Sequence, residues 1–395
     1  MYERKECQIL KTRLEEPRRF LQVLVGPRQV GKTTVVRQLL EKIKMPFVYF
    51  TADSVPVTTL GWIGDSWELA RTRMRMGRHN EYLLVIDEIQ KIESWSEAVK
   101  KEWDADTFNG INMKVLLLGS SRVMLEKGLS ESMAGRFEEV RIGHWSFEEM
   151  RSAFGLGVEE YIYYGSYPGA APFVGDRDRW ADYIGASIID ATVNNDVLMG
   201  ASVAKPALLR QAFELGAAYS GKILSYTKMM GSLQDAGNST TLSGYLMLLN
   251  TAGLLAALPK CAVDMARRRA SPPKFQVHDN ALRSRYASHT FEEVLSNPEE
   301  WGRCVESAVG AHLVNQSFVK GYEVMYWRDG DDEIDFVLKK GERLVAIEVK
   351  SNRETHTGAM SRFRTRFNPH GIMIVGPEGM GVEEFLLLDP TELFR

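Results

Sequence analysis

Cysteine is scarce. Cys7, Cys261 and Cys304 are the only three in 395 residues, and none forms a CxxC pair or a Cys/His cluster. That argues against zinc modules and disulfide-stapled scaffolds. The seven histidines likewise form no pair at metal-ligand spacing. Charge of one sign is lacking too: 49 Lys and Arg against 52 Asp and Glu leave a net charge of −3. No global basic field therefore announces nucleic acid, although a local patch stays open. No apolar run approaches the ~20 residues that a bilayer-crossing helix needs. The opening MYERKECQILKTR has no apolar core of the secretory kind. The expectation is a soluble, cytoplasmic protein with no membrane partner.

What is present is ordinary globular composition, 44% apolar and 26% charged, in a chain too long for one core. Two or three domains are expected. The first segment alternates apolar strands (20–25, 47–51, 82–86, 114–118) with helices, which predicts a parallel sheet covered on both faces. It closes near Met150, after a Trp145-Ser146-Phe147-Glu148-Glu149 run that reads as a helix cap. The middle segment reads as three helices (205–219, 226–233, 241–251) followed by strand-like pieces at 254–258 and 274–277, the layout of a winged helix-turn-helix. The stretch ARRRASPP (266–273) would be its wing. The last segment opens with a helix around 301–316 and continues with strands at 322–328, 333–338, 344–349 and 371–375, a second α/β unit.

Gly26-Pro27-Arg28-Gln29-Val30-Gly31-Lys32-Thr33, followed by Thr34, fits GxxxxGK plus Ser or Thr, between an apolar strand and a helix. In such a loop glycines let backbone N–H groups turn toward phosphate oxygens, and the helix N-terminus adds its dipole. Lys32 is expected to reach the β- and γ-phosphates of ATP, and the Thr33 hydroxyl to bind Mg2+. Leu83-Leu84-Val85-Ile86 ends in Asp87-Glu88. Asp87 is expected to hold Mg2+, directly or through water, and Glu88 to polarise the attacking water. A fourth strand ends in Gly119-Ser120-Ser121, which resembles the polar sensor position of AAA-type ATPases: either serine would contact the γ-phosphate or the water, or the stretch is a plain turn. Arg136, in Ala134-Gly135-Arg136-Phe137, reads as a finger reaching a neighbouring subunit or as a surface ion pair. The finger reading implies a homo-oligomer.

Asp335 lies on a strand, and the next strand carries Glu348-Val349-Lys350. Strand alternation puts Glu348 and Lys350 on one face, and a hairpin can bring Asp335 beside them. Glu306, on the preceding helix, would complete a carboxylate set able to hold Mg2+, with Lys350 orienting or deprotonating water.

Taken together, GPRQVGKTT (26–34), LLVIDEIQK (83–91), LLLGSS (116–121), AGRFEEVRIGHWSFEE (134–149), YYGSYPGA (163–170), EIDF (333–336) and AIEVKS (346–351) resemble a large prokaryotic family. That family joins an AAA-type P-loop ATPase to a C-terminal domain related to PD-(D/E)xK nucleases. Ser166 stands where the family usually has glycine, and Trp145 where a proline is common. The resemblance implies that Glu306, Asp335, Glu348 and Lys350 are the nuclease-like set. The fold expected is α/β: a P-loop parallel-sheet ATPase domain at 1–155, a helical lid and winged helix-turn-helix at 156–288, and a C-terminal α/β restriction-endonuclease-like domain at 289–395. The leading functional expectation is an ATPase that couples Mg-ATP to a nuclease-like effector acting on DNA. Arg267, Arg268 and Arg269 in the wing could touch phosphates, and so could Arg362, Arg364 and Arg366, although a solvated charged face is the commoner meaning of such runs. The alternatives are a nucleotide-switched binding module with a catalytically silent nuclease fold, and a signalling or assembly ATPase without nucleic acid.

Overall fold

The computed structural model describes residues 2–53, 55–56, 61–119, 125, 128–129, 133–198, 203–233, 238–264, 268, 270–350 and 357–395. The chain divides into two compact units, Met1–Ile142 with Asn195–Ala201, and Gly143–Asn194 with Ser202–Arg395.

The first unit is built on β1 (Leu21–Val25), β2 (Phe47–Thr51), β3 (Tyr82–Asp87), β4 (Met113–Leu118) and β5 (Phe137–Arg141). They form one parallel sheet in the order β2-β3-β4-β1-β5. The three central strands are buried along their whole length, as expected of strands covered on both faces. Leu24, Leu83, Val85, Leu116 and Leu118 pack with Leu10 and Leu14 of helix Lys5–Glu15 and Val35, Val36 and Leu39 of helix Lys32–Leu40. Helices Trp62–Met76 and Trp95–Phe108 bury Trp67 and Trp103. β5 falls inside the AGRFEEVRIG stretch, whose Phe-Glu-Glu-Val-Arg sequence carries no continuous apolar signal because it lies at the sheet edge.

In the second unit, Ser146 caps helix Phe147–Phe154 through a reciprocal box. Glu149 N–H donates to Ser146 Oγ at 3.3 Å, and Ser146 N–H donates to the Glu149 carboxylate at 2.8 Å. The tyrosine-rich turn beginning at Tyr163 is held by a buried carboxylate. Asp279 Oδ2 accepts from the Ser166 N–H at 2.9 Å and from its hydroxyl, while Asp279 Oδ1 accepts from Ala281 N–H at 2.8 Å. Ser166 thus contributes both its N–H and its hydroxyl to holding the turn. Gly165 has φ 79° and ψ −160°, a region closed to other residues, and a Cβ there would lie 2.0 Å from Asp279 Oδ1 and 2.6 Å from Ala281 N. Gly165→Ala should therefore destabilise the second unit by about 3 kcal/mol, strain and steric crowding together. Urea denaturation would read this, and an unchanged midpoint would show that the turn relaxes freely.

Helices Pro206–Ala218, Tyr226–Ser232 and Ser239–Thr251 are followed by the antiparallel pair β6 (Leu255–Leu258) and β7 (Lys274–Val277). Asn238 caps Ser239–Thr251 by accepting from Thr241 N–H at 2.8 Å. The long helix Pro298–Lys320 precedes β8 (Glu323–Asp329), β9 (Asp332–Lys340), β10 (Arg343–Val349) and β11 (Gly371–Val375), which form a sheet ordered β11-β10-β9-β8. β8, β9 and β10 are an antiparallel meander, and β11 runs parallel to β10. Phe336, Leu338, Val345 and Ile347 pack on Val309 and Leu313 of the long helix. Val337, Ala346 and Trp327 pack on Ala359 and Phe363 of helix Thr357–Phe367. No described helix is long and apolar enough to cross a membrane.

Candidate active site and a carboxylate cluster

β1 delivers the chain into the loop at Gly26, where a Cβ would lie 2.1 Å from the Ile142 carbonyl oxygen, so only glycine fits. The loop turns through Gln29 (φ 62°) and Gly31 (φ 89°), both left-handed, before helix Lys32–Leu40 begins. Lys32 is buried, and its ammonium donates to the loop's own carbonyls, Gly26 O at 2.9 Å and Pro27 O at 2.5 Å. Burial pushes its pKa down to about 8, against the opposing pull of Asp196 and Glu88. Arg28 forms a two-pronged pair with Asp196, Nε to Oδ2 at 3.1 Å and the second nitrogen to Oδ1 at 2.5 Å. Asp196 is itself almost wholly buried.

The parallel pairing of β1, β4 and β3 brings Asp87 beside the loop. Thr33 Oγ1 lies 3.4 Å from Asp87 Oδ2, which also accepts from the Tyr49 hydroxyl at 2.5 Å. Burial raises the Asp87 pKa, and the Tyr49 hydrogen bond works against that rise. Glu88 stands in a left-handed conformation (φ 54°), and its carboxylate accepts from Gln90 Nε2 at 2.7 Å. The Gln90 amide oxygen fills the space over Gly119, where a Cβ would meet it at 1.9 Å. Ser120 and Ser121 lie outside the described residues. Arg136 is held at the surface by Asp104, Nε to Oδ1 at 2.8 Å and the second nitrogen to Oδ2 at 3.0 Å.

The C-terminal residues also converge, around a residue that the sequence reading did not select. Lys274 of β7 is fully buried. Its Nζ lies 2.7 Å from Glu306 Oε1, 3.3 Å from Asp335 Oδ1 and 3.4 Å from Glu333 Oε1. Asp335 Oδ2 accepts from Val349 N–H at 2.8 Å, and Lys350 pairs with Glu348 at 2.6 Å. Burial raises the pKa of Glu306 to about 7, with Lys274 opposing and Asp335 adding to the rise. Burial, with Asp335, also raises Glu348 to about 7. Burial alone would lower the pKa of Lys274, but Glu306, Asp335 and Glu333 outweigh it and raise it. One ammonium thus faces more carboxylates than it can neutralise, which with burial favours the protonated form of Glu306 and Glu348.

Among the described residues no three His, Cys, Asp or Glu side chains stand in a metal-holding arrangement. The expected set of Glu306, Asp335 and Glu348 is assembled in space, but Glu306 and Asp335 turn toward Lys274 and Glu348 turns toward Lys350. Of the arginines considered as phosphate contacts, Arg268 pairs with Glu323, Arg362 with Asp332 at 2.5 Å and Arg366 with Asp329 at 3.1 Å. Arg267 and Arg269 lie outside the described residues.

Tyr49, Gln90, Asp196 and Lys274 are the side chains that sequence reasoning missed. Gln90, inside the LLVIDEIQK stretch, was the one within reach, two positions beyond a candidate base.

Comparison with known proteins gives three adjoining matches to family models. Residues 18–151 match an AAA domain, 156–292 a domain of unknown function (DUF8612), and 301–379 another domain of unknown function (DUF4143). No curated protein sequence matches the chain. Among solved structures, the Aeropyrum pernix Orc1 protein in complex with DNA is similar at 16% identity and a TM-score of 0.31, over 69% of this chain and 88% of that one. A variant of Thermotoga maritima RuvB is similar at 19% identity and a TM-score of 0.34, over 64% of this chain and 86% of that one.

Proposed function

We propose that the chain, whose residues 18–151 form an AAA-type ATPase domain, binds ATP with Mg2+ at Gly26–Thr34 and hydrolyses it, and that the nucleotide state controls its second unit. The observation that carries this reading is the 3.4 Å approach of Thr33 Oγ1 to Asp87 Oδ2, with Glu88 next in the chain. A hydroxyl and a carboxylate side by side suit a hard cation. Thr33 and Asp87 would hold Mg2+, which neutralises charge on phosphate oxygens when bound.

The chain's own groups account for the rest. Backbone N–H groups of the loop from Arg28 to Thr34 would donate to the phosphates at the start of helix Lys32–Leu40. Lys32 exchanges the carbonyls of Gly26 and Pro27 for phosphate oxygens, a favourable exchange for a buried ammonium. Glu88 takes the proton of the attacking water, and Gln90 fixes the direction of that carboxylate. Gln90→Ala should lower kcat roughly tenfold or more with the KM for ATP unchanged, since a hydrogen bond to a charged group is worth about 1.5–3 kcal/mol. An equal rise in KM would assign Gln90 to nucleotide binding instead. Steady-state phosphate release with the wild type, Lys32→Ala and Glu88→Gln tests the ATPase reading itself.

The partition into 1–155, 156–288 and 289–395 belongs to the same proposal, as does a winged-helix role for the middle segment. Residues 289–395 are read as a nuclease-like fold that binds rather than cuts, because Glu306 and Asp335 are engaged by Lys274. DNA is the partner to test. Helix Ser239–Thr251 exposes Ser239, Thr240 and Ser243, while the paired arginines leave less free positive charge for phosphates. Fluorescence anisotropy with duplex DNA, with and without a slowly hydrolysed ATP analogue, decides it. No binding in either state would favour a protein partner. A subunit-bridging Arg136 requires release from Asp104, and Arg136→Ala should then lower turnover only in assemblies.

A further inference from the structure

Lysine is rarely buried in full unless it is paired, yet Lys274 is 0% exposed. An ammonium has three N–H donors and no acceptor, and this one meets three carboxylates. Glu306 comes from helix Pro298–Lys320, Glu333 and Asp335 from β9, and Lys274 itself from β7. The Phe336 ring stands near Nζ, with its centroid 5.0 Å away. The Asp335 carboxylate has both oxygens in use, Oδ1 toward Lys274 and Oδ2 accepting from Val349 N–H. Glu348 is paired with Lys350.

The spacing separates an ammonium from a metal. Mg2+ takes oxygens at about 2.1 Å in near-octahedral order. The oxygens around Nζ stand at 2.7, 3.3 and 3.4 Å, the spacing of ion pairs and well beyond that of metal ligands. A divalent ion drawn to the same carboxylates would face the ammonium charge at contact distance and would have to expel a side chain that has no exposed surface. The residues present therefore do not fit the metal that the nuclease-like resemblance implies.

The geometry points to Lys274 as the resident cation of this cluster: its ammonium holds the place among Glu306, Glu333 and Asp335 that a divalent metal would take, so the cluster binds no divalent ion there. This deepens the non-cutting reading proposed above.

The test is a Mn2+ titration of the full chain without nucleotide, reading free Mn2+ by electron paramagnetic resonance, in a Thr33→Ala background that removes the P-loop hydroxyl. With Lys274 intact, Asp335→Asn should change nothing up to about 1 mM Mn2+. Lys274→Gln should gain one Mn2+ per chain at least ~10-fold tighter than any site in the parent, and Asp335→Asn added to it should remove that gain. A Mn2+ site in the Lys274-intact chain that disappears with Asp335→Asn overturns the assignment. So does a folded Lys274→Gln chain that gains nothing. Should Lys274→Gln fail to fold, the comparison of the Lys274-intact chain with Asp335→Asn decides alone. Because nucleotide is absent throughout, a chain that proved unable to hydrolyse ATP would give the same Mn2+ readings, so the two failures stay distinguishable.

Discussion

Glu88→Gln should lower ATP turnover by about 10²–10³-fold while ATP binding persists, and Lys32→Ala should remove binding and turnover together. The difference follows from where the two side chains sit. Glu88 follows the buried end of β3, and its carboxylate is held by Gln90 at 2.7 Å, so glutamine keeps the shape and loses only the basicity. Lys32 is inside the loop, and its pKa is already lowered by burial to about 8. An arriving polyphosphate further favours its charged form, and alanine offers nothing in return. Phosphate release and fluorescent-nucleotide binding, measured on the same preparations, separate the two effects. Turnover that survives both changes removes the ATPase reading.

Asp106→Ala should cost the first unit about 2–3 kcal/mol, the penalty for leaving a buried donor unsatisfied and weakening a buried ion pair. Asp106 is wholly buried and accepts from Trp67 Nε1 and from Arg71 Nε, both at 2.7 Å. Arg71 also pairs with Glu102 at 2.7 Å, so the network joins helices Trp62–Met76 and Trp95–Phe108. Alanine leaves the indole N–H without its acceptor and takes from the Arg71 guanidinium one of its two close carboxylates, whereas Asp106→Asn keeps an acceptor for Trp67 and should lose less. The urea midpoint of the first unit reads this. Equal midpoints for wild type and Asp106→Ala would mean that Arg71 is satisfied by Glu102 alone.

What could be read in the sequence was whatever is local. Strands β2, β7 and β11 stand at the expected residues, and β1, β3 and β4 within one residue at an end, because each is a short apolar or β-prone run bounded by turn residues. The nucleotide loop was legible for the same reason, since nine consecutive residues carry its whole geometry. β5 was not, because an edge strand needs few apolar side chains. Tyr49 could not be found without knowing that β2 lies next to β3. Asp196 lies 168 positions from Arg28 along the chain, with only an Asn-Asn-Asp run to mark it. In the sequence Lys274 is only the first residue of a short β-prone run. Its meaning depends on β7, β9 and a helix meeting at one point, which no periodicity encodes.

The grip of Asp196 on Arg28 has a consequence for every anion that approaches the loop. The guanidinium is already spoken for, so any measured affinity is a net quantity: what the newcomer gains, less what this internal couple gives up on parting. An inorganic phosphate that had to part the pair would have few contacts to set against that loss, whereas a ligand with several phosphates could compensate from its other contacts.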